Sequence, residues 1–256
     1  MTEALARAAE LRLAGRWDEA LARLDSLGDD SAALRERILV LADENLLARD
    51  RSDELDAALD QLEASAPGDP AVEAFVLDRK GLKLHGEFLR DRSAGEPPDE
   101  LPLFERALGI RRDRGDEAEI AESIFHVGLV HQVVRGEQER SRPFFEESYE
   151  RARTAGDRLL MSYAIRHVAF CDQEAGDLER AEAGFRESLA LRAEAGWVPG
   201  IAAAQLGLAL LLEDRGSHDE AVELARAARA GFQGVGAERF LRLVEQELQE
   251  LEAAAE

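Results

Sequence analysis

The sequence predicts an all-α protein, an α-solenoid of stacked antiparallel helix pairs with about 13 helices, and three observations lead there. Ala, Leu, Glu and Arg dominate, aromatic residues make up 5%, and β-branched runs are scarce, all of which favours helix. Glycines recur at Gly95, Gly115, Gly136, Gly156, Gly176, Gly196, Gly216 and Gly236, a spacing of 20 or 21 residues seven times in succession. Between those glycines the segments alternate in character, one apolar nearly all round and the next amphipathic and heavily charged.

A glycine just past a helix supplies the left-handed conformation that closes it, so each one marks a helix of roughly 15 to 17 residues and a short turn. Two such helices form a unit of about 40 residues. The first helices of successive units run over Ile120–Val134, Leu159–Phe170 and Ile201–Leu212, and their all-round apolar character demands cover on several sides. The second helices, Ser141–Arg153, Leu178–Arg192 and His218–Arg229, can leave one face in water. Stacked pairs satisfy both demands, with the first helices forming an inner layer and the second an outer one.

The second helices carry Phe104, Phe145 and Phe185 in register, each followed three residues later by a small residue, Ala107, Ser148 and Ser188, with Ala228 continuing that column. Ala181 and Phe185 reproduce the A-x3-F spacing of tetratricopeptide repeats, and Gly15-Arg16-Trp17-Asp18-Glu19-Ala20 with Leu24 is similar to the same motif in its ordinary form. Asp53–Leu62 followed by Ala66-Pro67-Gly68-Asp69-Pro70 looks like another such unit with its proline turn. The chain therefore resembles the tetratricopeptide family over nearly its whole length. It departs from the family's usual 34-residue period by running at about 40, a length shared with HEAT-like repeats; longer helices account for the difference, and the Phe and small-residue columns favour the tetratricopeptide reading.

Segmentation follows from composition. Residues 1–92 are expected to hold N-terminal helix pairs. Residues 93–102, with Pro97, Pro98 and Pro102, read as a connecting loop and possible hinge; residues 103–237 form the regular array; and residues 238–256, with a narrow stripe of Phe240, Leu241, Val244, Leu248 and Leu251, form a capping helix.

With 54 Asp and Glu against 32 Lys and Arg, the net charge of −22 repels a phosphate backbone. The basic residues are spaced as helical partners of carboxylates, as in Glu147 with Arg151 and Glu182 with Arg186. Nucleic acid is therefore not an expected partner. No run of 18 apolar residues occurs, so no membrane span is expected, and a single Cys171 with no secretion-type N-terminus suits the cytoplasm.

Aligned by their terminal glycines, the first helices present a column of His85, His126, Arg166 and Leu206, flanked by Leu82, Ser123, Tyr163 and Ala203 on one side and by Leu89, Val130, Phe170 and Leu210 on the other; Gln173 lies a further step along. In tetratricopeptide arrays this face lines a concave groove. The resemblance thus implies a partner-binding surface of His85, Ser123, His126, Val130, Tyr163, Arg166, Phe170, Gln173, Leu206 and Leu210, suited to a protein or peptide segment whose carboxylate Arg166 could fork. The alternative is that these polar side chains bond within the stack.

Catalysis and metal binding find little support. His126 and His131 are five residues apart and point in different directions, while His167 and Cys171 have chelating i, i+4 spacing but lack a third ligand. Asp172 points away from Cys171, no phosphate-binding glycine motif occurs, and no cofactor is expected. The expected function is a non-catalytic scaffold or adaptor, with a sensor or regulatory module of a bacterial transcription or signalling system as the alternative.

Overall fold

A computed structural model describes residues 2–28 and 30–254. Met1, Asp29, Ala255 and Glu256, which fall in the expected N-terminal and capping segments, lie outside the described residues. The chain forms thirteen α-helices and, among the described residues, no strand: α1 Glu3–Leu13, α2 Trp17–Asp25, α3 Ser31–Leu47, α4 Ser52–Ser65, α5 Pro70–Arg90, α6 Glu100–Arg114, α7 Glu117–Leu129, α8 Gln138–Ala155, α9 Arg158–Glu174, α10 Leu178–Ala195, α11 Val198–Asp214, α12 His218–Gly234 and α13 Glu238–Ala254. A single 3₁₀ turn, Arg92–Ala94, follows α5, and α7 continues into a π-helical turn at Val130–Val134.

Seven of the eight periodic glycines lie at the ends of long helices as their spacing predicts, while Gly95 closes the 3₁₀ turn that follows α5. All eight have positive φ, between 69° and 80°. At five successive turns the amide beyond the glycine reaches back to a carbonyl five residues earlier: Asp157 to Ala152, Asp177 to Asp172, Trp197 to Arg192, Ser217 to Leu212 and Ala237 to Phe232, all at 2.8–3.0 Å. That is the Schellman closure, which a side chain at the glycine would strain. Opposite ends are capped by acidic side chains, with Asp30, Asp69, Asp116 and Asp177 accepting from amides two or three residues on.

The Phe and small-residue columns form the seams between helices. Phe104, Phe145 and Phe185 are all 0% exposed, as are Ala107, Ser148, Ser188 and Ala228. A Cβ at Gly81 would lie 2.5 Å from the Phe104 ring, and one at Gly128 would lie 2.7 Å from Phe145, so the rings fit only because the facing helices lack side chains there. Ser148 Oγ donates to the Ala121 carbonyl at 2.8 Å and Ser188 Oγ to that of Ser162 at 2.7 Å, which fixes the same helix-to-helix register in two successive pairs.

The helices gather into two compact units. One comprises residues 1–12 and 16–157, and the other residues 13–15 and 158–256. In the first unit, Leu34, Ile38, Leu55, Leu59 and Leu62 form an N-terminal core, and Phe104, Ile120, Ile124 and Val130 form a second. In the second unit one continuous core runs from Ala169 through Leu208 and Phe232 to Leu251. The inner helices α7 and α11 bury residues on all sides, whereas α8, α10 and α12 bury a single stripe. In α13, Val244, Leu248 and Leu251 are buried while Phe240 and Leu241 are half-buried.

Two details differ from the sequence expectation. The segment at 93–102 is only partly loop, because α6 begins at Glu100 and takes Pro102 into its first turn, where a missing amide costs little. It also lies inside the first unit, and the two units divide between Asp157 and Arg158. Among the described residues no helix is long and apolar enough to cross a membrane.

Candidate partner-binding face

The polar half of the predicted column lies inside the first unit. His85 is 6% exposed and its Nδ1 lies 2.7 Å from Glu100, itself fully buried on α6. Ser123 and Val130 are 0% exposed and His126 is 4% exposed. Ser123 and His126 join a charge network around Asp78 on α5 and Arg111 on α6. Arg111 pairs with Asp78 and donates to Ser123 Oγ at 2.6 Å; Ser123 Oγ donates to Asp78 at 3.3 Å, and His126 Nδ1 stands 3.1 Å from the other Asp78 oxygen. Glu119 and Glu122 approach the same guanidinium at 3.4 and 3.3 Å, and Glu122 also pairs with buried Arg79. Burial pulls the Glu122 carboxyl upward, but Arg79, Arg111 and His126 outweigh it and hold it at about 2. These side chains are thus committed to one another.

The second unit places the rest differently. Tyr163, Arg166, Phe170 and Gln173 on α9 are half-buried, and on the neighbouring α11 Leu206 is buried while Leu210 is exposed. The Arg166 guanidinium lies over the Phe170 ring, 4.8 Å from its centroid, with Nη2 a long 3.5 Å from the Ala203 carbonyl. Gly207 faces it: a Cβ there would come within 3.2 Å of Nη2. Gln173 Nε2 reaches Asp214 at 3.4 Å.

Behind this face stands Arg192 on α10, 2% exposed, which the sequence presents as one more cation of a charged outer helix. It donates to the Gly200 carbonyl at 2.8 Å and is flanked by the rings of Tyr163 and Trp197, which meet edge to face at 4.9 Å. Among the described residues neither Arg166 nor Arg192 has a carboxylate partner, and the Nε of each is buried without a hydrogen bond. Burial pushes Arg166 down to about 10; burial and the nearby Arg166 charge push Arg192 to about 9. Both are charged at neutral pH.

Alignment by glycines misjudges which residues correspond, for two reasons. The π turn inserts one residue into α7, which is why Gly115 and Gly136 are 21 apart where the later pairs are 20 apart. And α5 ends at Arg90, short of Gly95. Contacts give the true correspondence. Arg111 and Arg192 each sit four residues before a turn glycine, and each sends Nη1 to the carbonyl four residues beyond it, Glu119 at 3.2 Å and Gly200 at 2.8 Å. His126 opposes Asp78 as Gly207 opposes Arg166. Asp78, and not His85, therefore occupies the position of Arg166, and His126 that of His167.

His167 lies edge-on to Phe170 at 5.8 Å and Cys171 is buried; among the described residues no group of three His, Cys, Asp or Glu side chains could hold a metal.

Helix pairing, periodic closure and the Phe and small-residue seams define a tetratricopeptide-like repeat protein. No known family profile matches the chain, and no curated protein matches it by sequence. Solved structures do match. A Rap protein complexed with Competence and Sporulation Factor is 15% identical, with 94% of this chain and 79% of that one covered and a TM-score of 0.54. BtubC (BKLC) from P. vanneervenii is 16% identical over 100% and 93%, with a TM-score of 0.51. NprR in complex with its cognate peptide NprX is 11% identical over 99% and 89%, with a TM-score of 0.50. At such identities the likeness is one of fold.

Proposed function

We propose that the chain is a non-catalytic module that binds a peptide or an extended protein segment on the α9–α11 face of its second unit. The observation that carries this reading is Arg166, a half-buried arginine with no carboxylate partner that stacks on Phe170, on a helix whose Tyr163 and Gln173 are also half-buried and beside α11, whose Leu210 is exposed. Apolar area with a few fixed polar groups suits a peptide, whose side chains supply contact area while its polar ends are held. Of the ten residues expected on the groove, the reading keeps those of α9 and α11. His85, Ser123, His126 and Val130 serve the interior of the first unit.

NprR, solved with its cognate peptide, shares the fold and supports peptide binding for a scaffold and for a sensor or regulatory module alike. The test is selection from a random displayed-peptide library on the full chain, followed by titration against Tyr163→Ala and Leu210→Asp. Selected peptides should lose about tenfold or more in affinity to each variant. Unchanged affinity for both variants would remove the face from consideration.

A further inference from the structure

The helix expected as a cap is also a third copy of the inner helix. The turn glycines Gly156, Gly196 and Gly236 are 40 residues apart, so α9, α11 and α13 can be compared position by position. Burial bears out the match: Val244, Leu248 and Leu251 are buried where α11 buries Ala204, Leu208 and Leu211 and α9 buries Ala164, Val168 and Cys171. On that register Leu243 stands at the position of Tyr163 and Ala203, Gln246 at that of Arg166 and Leu206, and Glu250 at that of Phe170 and Leu210. The face assigned to α9 and α11 therefore continues onto α13.

A neighbouring side of α13 has another character. Ala169 and Ala202 sit so close to the outer helices α10 and α12 that a Cβ at Gly184 or Gly231 would come within 2.9 and 2.8 Å of them. The same two positions in α13 hold Gln249 and Arg242, both exposed, so the side on which an outer helix packs in the earlier pairs here suits water. It fits neither another helix nor a second copy of the chain. Leu243 is the exception. It is 44% exposed, more than any other large apolar side chain among the described residues. One and two turns further along the same stripe come Glu247, half-buried, and Glu250, exposed. Among the described residues neither carboxylate has an ion-pair partner; Gln246 donates to Glu250 at 3.1 Å, and burial together with the Glu250 charge pushes the Glu247 carboxyl upward. A leucine left in water beside two carboxylates that repel each other complements a group that is apolar along its length and positive at its tip.

We infer that α13 is the third helix of the binding face and takes a Lys or Arg of the bound segment, its aliphatic stem over Leu243 and its cation at Glu247 and Glu250. Those two side chains have the required build, an apolar stem with a charged head. The net charge of −22 also draws a basic ligand in. The inference rests on the peptide-binding reading and adds to it the extent of the face, three helices, and one residue class of the ligand.

The experiment selects a random displayed-peptide library on the full chain and, in parallel, on a Glu247→Lys/Glu250→Lys double variant. Expected from the wild type is enrichment of Lys or Arg at one fixed position of the selected peptides, and from the double variant replacement of that preference by Asp or Glu. Titrated with the wild-type peptides, Leu243→Ser should lose about fivefold in affinity and Glu247→Gln/Glu250→Gln about tenfold or more. None of these positions is buried, so the thermal midpoint of each variant should stay where it was. Peptides without basic preference, weakened by Tyr163→Ala but indifferent to both α13 variants, would overturn the inference and leave binding on α9 and α11 standing. A library that yields no binder would remove both. A concentration-dependent dimer that Leu243→Ser dissolves would assign this face to a second copy and overturn the inference as well.

Discussion

Arg111 and Arg192 hold one place in the repeat and live in opposite surroundings. Around Arg111 the negative charges come from the protein itself: Asp78 is fully buried with each of its oxygens engaged, and Glu119 and Glu122 lie at ion-pair distance, although Arg111 Nε and Nη2 make no hydrogen bond. Around Arg192 the chain supplies a second arginine, two aromatic rings and a carbonyl. A network that neutralises itself holds a structure in register, and one left short of negative charge keeps its own cations in mutual repulsion.

The sharpest way to break this contrast is to make the same change at both positions. Arg111→Met strands Asp78, Glu119 and Glu122 in each other's field and should cost about 3–5 kcal/mol, read as a lower urea midpoint by circular dichroism. Arg192→Met removes a charge with no partner; in the ligand-free protein it should gain about 1–2 kcal/mol, despite losing the bond to Gly200. Equal losses at both positions would show that Arg192 is merely structural.

A smaller effect separates the units by pH. Glu122 is held near 2 in the folded chain against an ordinary 4.5, so its stabilising contribution is complete above about 4.5 and is lost as pH falls towards 2. Glu122→Gln should be less stable than wild type by about 1 kcal/mol at pH 7, and the two curves should converge across that acid window. A constant difference from pH 7 to pH 2 would contradict the ion-pair account. The smallest effect belongs to the outer surface, where Arg186 bridges Glu182 and Glu220 with 45% of its side chain exposed. Arg186→Ala should shift the urea midpoint by no more than about 0.5 kcal/mol of stability, since water and salt already screen that pair.

Much of this architecture is visible in the sequence because it rests on local rules. Gly196 must be glycine to close α10, and Phe185 with Ser188 must recur where two helices meet, so spacing alone locates both. The candidate face was half legible. Tyr163, Arg166 and Phe170 share a helix face by simple periodicity, but whether an arginine has a carboxylate nearby depends on residues dozens of positions away. Arg192 reads as an ordinary surface cation for that reason, and His126 as a groove residue. The slip of one residue in α7 was equally hidden, since a π turn leaves the hydrophobic pattern almost untouched.

That turn at Val130–Val134 carries a consequence for how such a chain can change length. Its extra residue is absorbed within one widened turn, and the flanking closures at Gly115 and Gly136 keep their left-handed geometry. An insertion that would otherwise rotate the whole downstream helix by about 100° is confined to five residues. At α7, then, one additional residue is taken up without disturbing the closures on either side, and the 21-residue interval between Gly115 and Gly136 is its trace in the sequence.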